Sequence, residues 1–266
     1  MRTFSNASFV SPPSGGQEHV RESVSPRLPE APLTKTSPAV SPLTGPESSP
    51  RPRVSVLYHF MQPDDVVSAR LYDDLCVGLR LRGWDVEALP CNRGCRDESL
   101  SYPSTTTWRG VVYRRVWRPR FRQSSSLGRI LNSAWMISAW SRIALRPAHR
   151  VPDAVIIGTD PVFAVLSVLP LKFLRPKIRV AHWCFDLHPE CAVEASLVDR
   201  DARITRLIRG LMALAYRRCD SVVDLGACMR NRLKRYHHGA KEESFPPWAL
   251  EEPQAPVAAD PVARQA

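Results

Sequence analysis

Short apolar runs alternate with helix-period segments along most of this chain, and that order leaves few folds open. VSVLYHF, at residues 54–60, is a β-rich run suited to a buried parallel strand. Leu71, Tyr72, Leu75, Cys76 and Leu79 then make one helical face over residues 68–82, and Gly83 suits the position just past the helix end. DVEALP supplies the next strand, completing a βαβ opening. GVVYRRVW predicts another strand, with the Ser/Thr-rich stretch before it read as loop. A helix over 127–145, apolar nearly all round and capped by Ser126 or a neighbouring Ser, is expected to be buried, the alternative being a place partly at a membrane surface. Strands at 154–157, 178–183 and 219–226 follow, with helices at 161–173, 190–197, 204–217 and 228–236. Strand and helix taking turns in this way predict an α/β fold built on a doubly wound parallel sheet, a Rossmann-like unit.

The flanks read differently. Residues 1–52 are dominated by Pro, Ser, Gly and scattered charge and cannot bury enough apolar surface to offset ordering, so a disordered tail is expected there and again over 249–266. The folded unit is expected over 53–248. Residues 1–52 lack the continuous apolar stretch of a signal peptide, and Glu18, Glu22, Glu30 and Glu47 argue against a transit peptide. The apolar region 154–174 is interrupted by Asp160-Pro161, Pro170 and Lys172 and reads as strand, turn and helix rather than a membrane span. Seven scattered cysteines fit a reducing compartment. CNRGC at 91–95 has no second pair at zinc spacing, so no metal and no cofactor is expected.

Net charge is +11, and residues 99–152 contain no acidic side chain at all. Arg114, Arg115, Arg118, Arg120 and Arg122 fall there among Trp117, Phe121 and Trp135. Such a stretch predicts contact with phosphates or an anionic membrane surface. No nucleic-acid-binding motif accompanies it, so nucleic acid is not expected as a partner.

In a doubly wound sheet ligands sit beyond the carboxyl ends of the strands. Two predicted strands end there in polar corners. One is GTDP, with Thr159 and Asp160; the other is HWCFDLHPE, with His182, Asp186, His188 and Glu190. Ser68 and Arg70 open the first helix at a third such edge, where a helix amino terminus favours anions. The first loop, MQPDDVVSAR, has no spaced glycines and no GKS or GKT, which excludes a dinucleotide fingerprint and a P-loop.

In their order, these pieces resemble the amino-terminal half of a family 4 glycosyltransferase of the GT-B fold, of the type that builds exopolysaccharide and O-antigen on a lipid-pyrophosphate carrier. The resemblance spans about residues 53–248, and its strongest motif is the D-L-x-P-E corner. It implies that this half holds the saccharide or lipid-pyrophosphate-linked acceptor, while the nucleotide-sugar donor is bound by a separate or missing domain. It implies Asp186 as general base or hydroxyl-orienting carboxylate, with His182 second. Ser68, Arg70, Thr159, Asp160, His188 and Glu190 would bind the acceptor, and the Arg114–Arg122 stretch would meet membrane or carrier phosphate. Many relatives carry His where this chain has Phe185. FPPWALEEP resembles the family's interdomain linker, so the chain is expected to be inactive alone, cytoplasmic and peripheral on the inner face of the cell membrane. The alternatives are a non-catalytic module that binds a glycolipid or protein, and an unrelated small-molecule enzyme on the same sheet.

Overall fold

The computed structural model describes residues 51–236, 239–248 and 250; the predicted tail at 1–52 lies almost wholly outside them, as does all but Leu250 of 249–266. Eight strands form one sheet: β1 (Arg53–Leu57), β2 (Asp85–Ala88), β3 (Thr105–Trp108), β4 (Val111–Arg114), β5 (Ala154–Ile157), β6 (Arg179–Trp183), β7 (Ser221–Asp224) and β8 (Lys241–Ser244). The order across it is β3-β4-β2-β1-β5-β6-β7-β8. All neighbours are parallel except β3 and β4, which run antiparallel. Strand order reverses between β1 and β5, where the topology opens a crevice at the carboxyl edge. The doubly wound α/β reading therefore stands.

Alternation along each strand divides the core in two. Val54 and Val56 of β1 join Val86, Val111, Tyr113 and Trp183 under helix α1 (Val67–Leu81). Leu57, Val155, Ile157 and Val180 face the other way, beneath α2 (Ser126–Ser141), α3 (Val168–Leu174) and α5 (Arg203–Tyr216). Two short helices, α4 (Glu190–Glu194) and α6 (Ala227–Leu233), follow β6 and β7. Ser125 caps α2 by accepting from the Gly128 N–H at 3.0 Å. Trp140, fully buried on α2, donates its indole N–H to the Leu89 carbonyl at 2.8 Å, tying the helix to the end of β2.

Three expectations need correction. The Ser/Thr stretch holds a strand: Arg109 and Gly110 both have positive φ (48° and 78°), the two-residue turn that matches the twist of a hairpin, so TTTW folds back on β4. The last strand, KEES, is exposed at every position and gives no apolar signal. Finally, α2 is only half buried. Gly128, Asn132, Met136 and Trp140 face inward, whereas Leu127, Ile130, Leu131 and Trp135 are exposed. The region 154–174 does divide into β5, a 3-10 turn (Ala164–Ser167) and α3. Among the described residues, no helix is long and apolar enough to cross a membrane.

Candidate functional site

The carboxyl ends of β1, β5 and β6 converge on one crevice. β1 exits through Tyr58 and His59, β5 through Gly158, Thr159 and Asp160, β6 through Phe185, Asp186 and His188. The backbone carbonyl of Asp160 accepts from the His59 N–H at 3.1 Å, closing the first two exits together. Thr159 joins the second to the third: its Oγ1 accepts the N–H of Phe185 at 2.7 Å and of Asp186 at 3.4 Å, and donates to the Trp183 carbonyl at 3.3 Å. Thr159 is buried. Its hydrogen-bonding capacity is spent on fixing the Asp186 loop, so it positions the site rather than facing a ligand.

Asp186 itself is exposed. Its carboxylate and that of Asp160 both lie close enough to the His188 ring to act on its charge. Burial lowers the His188 pKa, and Asp186, Asp160 and Glu190 oppose that shift. Tyr58 closes the floor: burial together with Asp160 and Asp186 pushes the pKa of its phenol well up, and Ser68 at the start of α1 partly offsets that. Phe163, held in the left-handed region at φ 66°, sets its ring edge-on to His188 with centroids 6.0 Å apart. For a bulky side chain that backbone costs on the order of 1–3 kcal/mol, a conformation usually kept where a site needs it. Together these groups offer a water-accessible carboxylate that can take a hydroxyl proton, a second carboxylate, and an imidazole that is neutral at neutral pH.

Not every predicted residue joins them. His182 points away, under α5. It is 2% exposed, its Nδ1 contacts the Ile157 carbonyl at 3.0 Å, and burial lowers its pKa to about 4. Enclosed in the core, it does not reach an acceptor hydroxyl. Glu190 is also buried; Arg209 holds one oxygen at 3.0 Å and the Tyr236 hydroxyl donates to the other. It anchors α4 to α5 and to the 3-10 turn Lys234–Tyr236. Arg70 lines a separate cleft of about 400 Å³ with Gln62, Asp73, Trp108 and Arg109. A cleft of about 530 Å³ opens at the opposite, amino-terminal edge, where Arg114 and Arg146 clamp Glu87 at 2.8 and 2.6 Å.

The basic stretch is likewise divided. Arg114 is exposed and paired with Glu87, while Arg115 and Arg118 are buried, so neither of these two is free to meet a membrane. Arg120 and Arg122 remain exposed. Among the described residues no group of three or more potential ligands could hold a metal.

His59 is the residue that sequence reasoning missed. It is 1% exposed, with its Nδ1 3.5 Å from an Asp160 carboxylate oxygen, an ion-pair distance rather than a well-made hydrogen bond. Burial pulls its pKa down, but Asp160 and Cys91 outweigh that and hold it up to about 9. A histidine whose folded pKa exceeds its unfolded value stabilises the fold fully below about pH 6.5 and loses that contribution as pH climbs through the folded value. Burial also raises Asp73, to about 7, so its effect is spent by the time His59 titrates. Urea-unfolding midpoints should therefore fall between pH 7 and 9 in the wild type, and Asp160→Asn should flatten that decline. An unchanged slope in the variant would place its origin elsewhere.

No protein-family model matches the sequence, and no curated protein matches it. Similar solved structures include UGT73P12 of Glycyrrhiza uralensis complexed with glycyrrhetinic acid 3-O-monoglucuronide, at 12% identity over 74% of this chain and 49% of that one, with a TM-score of 0.48. UGT2 of Phytolacca americana, complexed with UDP-2fluoro-glucose and pterostilbene, is 10% identical over 77% and 55% of the two chains, with a TM-score of 0.41. A UGT transferase from Siraitia grosvenorii in complex with UDP is 11% identical over 76% and 53%, with a TM-score of 0.40. The chain thus spans about half the length of the structures it matches.

Proposed function

We propose that this chain is the acceptor-binding half of a glycosyltransferase of the family 4 type, acting on a saccharide or lipid-pyrophosphate-linked acceptor, with the nucleotide-sugar donor held by another domain. The observation that carries this reading is the convergence of Asp160, Asp186 and His188 on the reversal point of a doubly wound sheet. Asp186 is the candidate base. An exposed carboxylate fixed through its backbone by Thr159 can accept the proton of an acceptor hydroxyl, and Asp160 can orient a second hydroxyl.

The surface beside the crevice supports a membrane-borne acceptor. Trp117 (57% exposed) meets Trp135 of α2 edge-on at 5.3 Å, and Trp135 donates its indole N–H to the Trp117 carbonyl. Phe121, Leu127, Ile130 and Leu131 extend that exposed apolar face, with Arg120, Arg122 and Arg129 beside it. Apolar side chains bordered by guanidinium groups suit the headgroup boundary of an anionic bilayer at the inner face of the cell membrane.

Co-sedimentation with anionic vesicles, with and without membrane-extracted lipid-linked saccharides, tests both parts. Wild-type binding should rise when the saccharide lipids are present. Asp186→Asn should remove that increment and keep basal binding, whereas Ile130→Ser with Trp135→Ser should lose basal binding by about tenfold, the scale of one exposed apolar anchor or two. Binding indifferent to the saccharide would sink the acceptor assignment. Robust transfer of radiolabelled sugar by this chain alone would sink the division of labour with a donor domain.

A further inference from the structure

Arg118 has no exposed surface, and its Nε, Nη1 and Nη2 all lack a hydrogen-bond partner. Among the described residues no carboxylate lies within ion-pair distance of it. Arg115, three residues earlier and also buried, shows how this chain satisfies an internal guanidinium. It donates to the carbonyls of Pro103 and Gln62 and to Thr106 Oγ1 at 3.1, 2.7 and 2.9 Å. Arg118 receives nothing comparable. A guanidinium does not shed its proton to escape burial, and an unpaired buried charge costs several kcal/mol. The group therefore needs an anion.

Its surroundings repeat the demand. The Arg118 N–H donates to Asn92 Oδ1 at 2.9 Å and its carbonyl accepts from Arg93 Nε at 3.3 Å, so the residue's backbone is fixed on both sides. Arg93 is 8% exposed and its own Nη1 is buried without a partner. Both sit at strand exits on the carboxyl edge, Arg93 after β2 and Arg118 after β4. The adjoining β1 exit supplies His59, whose carbonyl accepts from the Cys91 N–H at 2.9 Å. Two guanidinium groups with unused donors, and no acidic residue between 99 and 152, match an anion of about two charges that presents several oxygens.

We propose that Arg118 and Arg93 bind a phosphate or diphosphate group at the β2 and β4 exits, next to the Asp160–Asp186–His188 crevice and distinct from it. The segment carrying Trp117 and Phe121 has to shift for the anion to enter. This assignment stands whether or not the chain serves sugar transfer.

Calorimetric titration and thermal unfolding of the full chain with sodium pyrophosphate, against sodium chloride of equal ionic strength, test it. Saturable binding and a melting temperature that climbs with pyrophosphate are expected. Arg118→Met should bind at least about tenfold more weakly, because the bidentate contact is gone, and should melt no lower than the wild type without ligand. Arg118→Lys keeps the charge without the planar fork, so it tests the site if the Met variant does not fold; its binding should fall between the two. Arg120→Ser with Arg122→Ser should bind as the wild type does. UDP and a short prenyl diphosphate, titrated in parallel, tell a nucleotide source from a lipid one by which binds more tightly. Absence of saturable pyrophosphate binding by the wild type, or wild-type affinity in both Arg118 variants, would overturn the proposal.

Discussion

Gly158→Ala should destabilise the fold by about 3 kcal/mol or more, the upper range for forcing a methyl group into a packed interior. A Cβ there would stand 2.3 Å from Tyr58 Cδ2, 2.6 Å from the Tyr72 hydroxyl and 2.8 Å from Tyr72 Cζ. Neither tyrosine can retreat. Their rings stack on each other at 3.9 Å, both are almost fully buried, and the Tyr72 hydroxyl donates to the Trp183 carbonyl at 3.4 Å. The backbone at Gly158 is fixed as well, its N–H bonded to the Leu57 carbonyl at 2.9 Å. The strain would fall on the β1 and β5 exits, so the ion pair of His59 with Asp160 should be disturbed too. Urea unfolding followed by circular dichroism reads the first effect; a loss below about 1 kcal/mol would show that the exits yield more easily than their packing implies.

Arg115→Met should cost about 2 kcal/mol, by removing three charge-assisted hydrogen bonds to half-buried and exposed acceptors that water only partly replaces. The guanidinium ties the β1 exit loop at Gln62 to the segment before β3 at Pro103 and to β3 itself at Thr106. It also lies over the Tyr102 and Tyr113 rings, at 5.5 and 5.9 Å. Methionine keeps most of the volume and none of the donors. The comparison with Arg118→Met is informative because both residues are buried arginines of one basic run. The first should unfold the protein more readily, while the second should not, since only the first has its acceptors in place. Equal losses in both would mean that packing of the long side chain, rather than hydrogen bonding, sets their contribution.

These two arginines also show where the sequence stops being legible. RRVWRPRFR reads as one basic surface because charge is usually solvated, and nothing in the spacing reveals that Arg115 and Arg118 turn inward while Arg120 and Arg122 turn out. The strands of the parallel core were readable because burial on both faces demands continuous apolar runs such as AVII. TTTW and KEES were not, since edge positions carry no such demand. At the candidate site, the nearness of Asp160 and Asp186 to His188 could be anticipated from their place after predicted strands. His182 and Glu190 shared that local pattern. Strand phase turns His182 under α5, and Arg209 with Tyr236 claims Glu190; both contacts come from segments distant in sequence. His59 was hidden within an apolar run, although a titratable group one step past a first strand is a usable signal.

The polar strand β8 limits how this protein can meet others. A sheet rim with open amides invites a neighbouring chain to add a strand, and the charged run Lys241, Glu242 and Glu243 deters that. Lys241 spans to Glu243 at 2.6 Å along the rim, so a docking strand would have to displace a charged row that already satisfies itself. Growth of the sheet past β8 is thereby discouraged. The crevice over the ends of β1, β5 and β6 opens along the strand axes instead, so a partner that reaches it has no need of that rim.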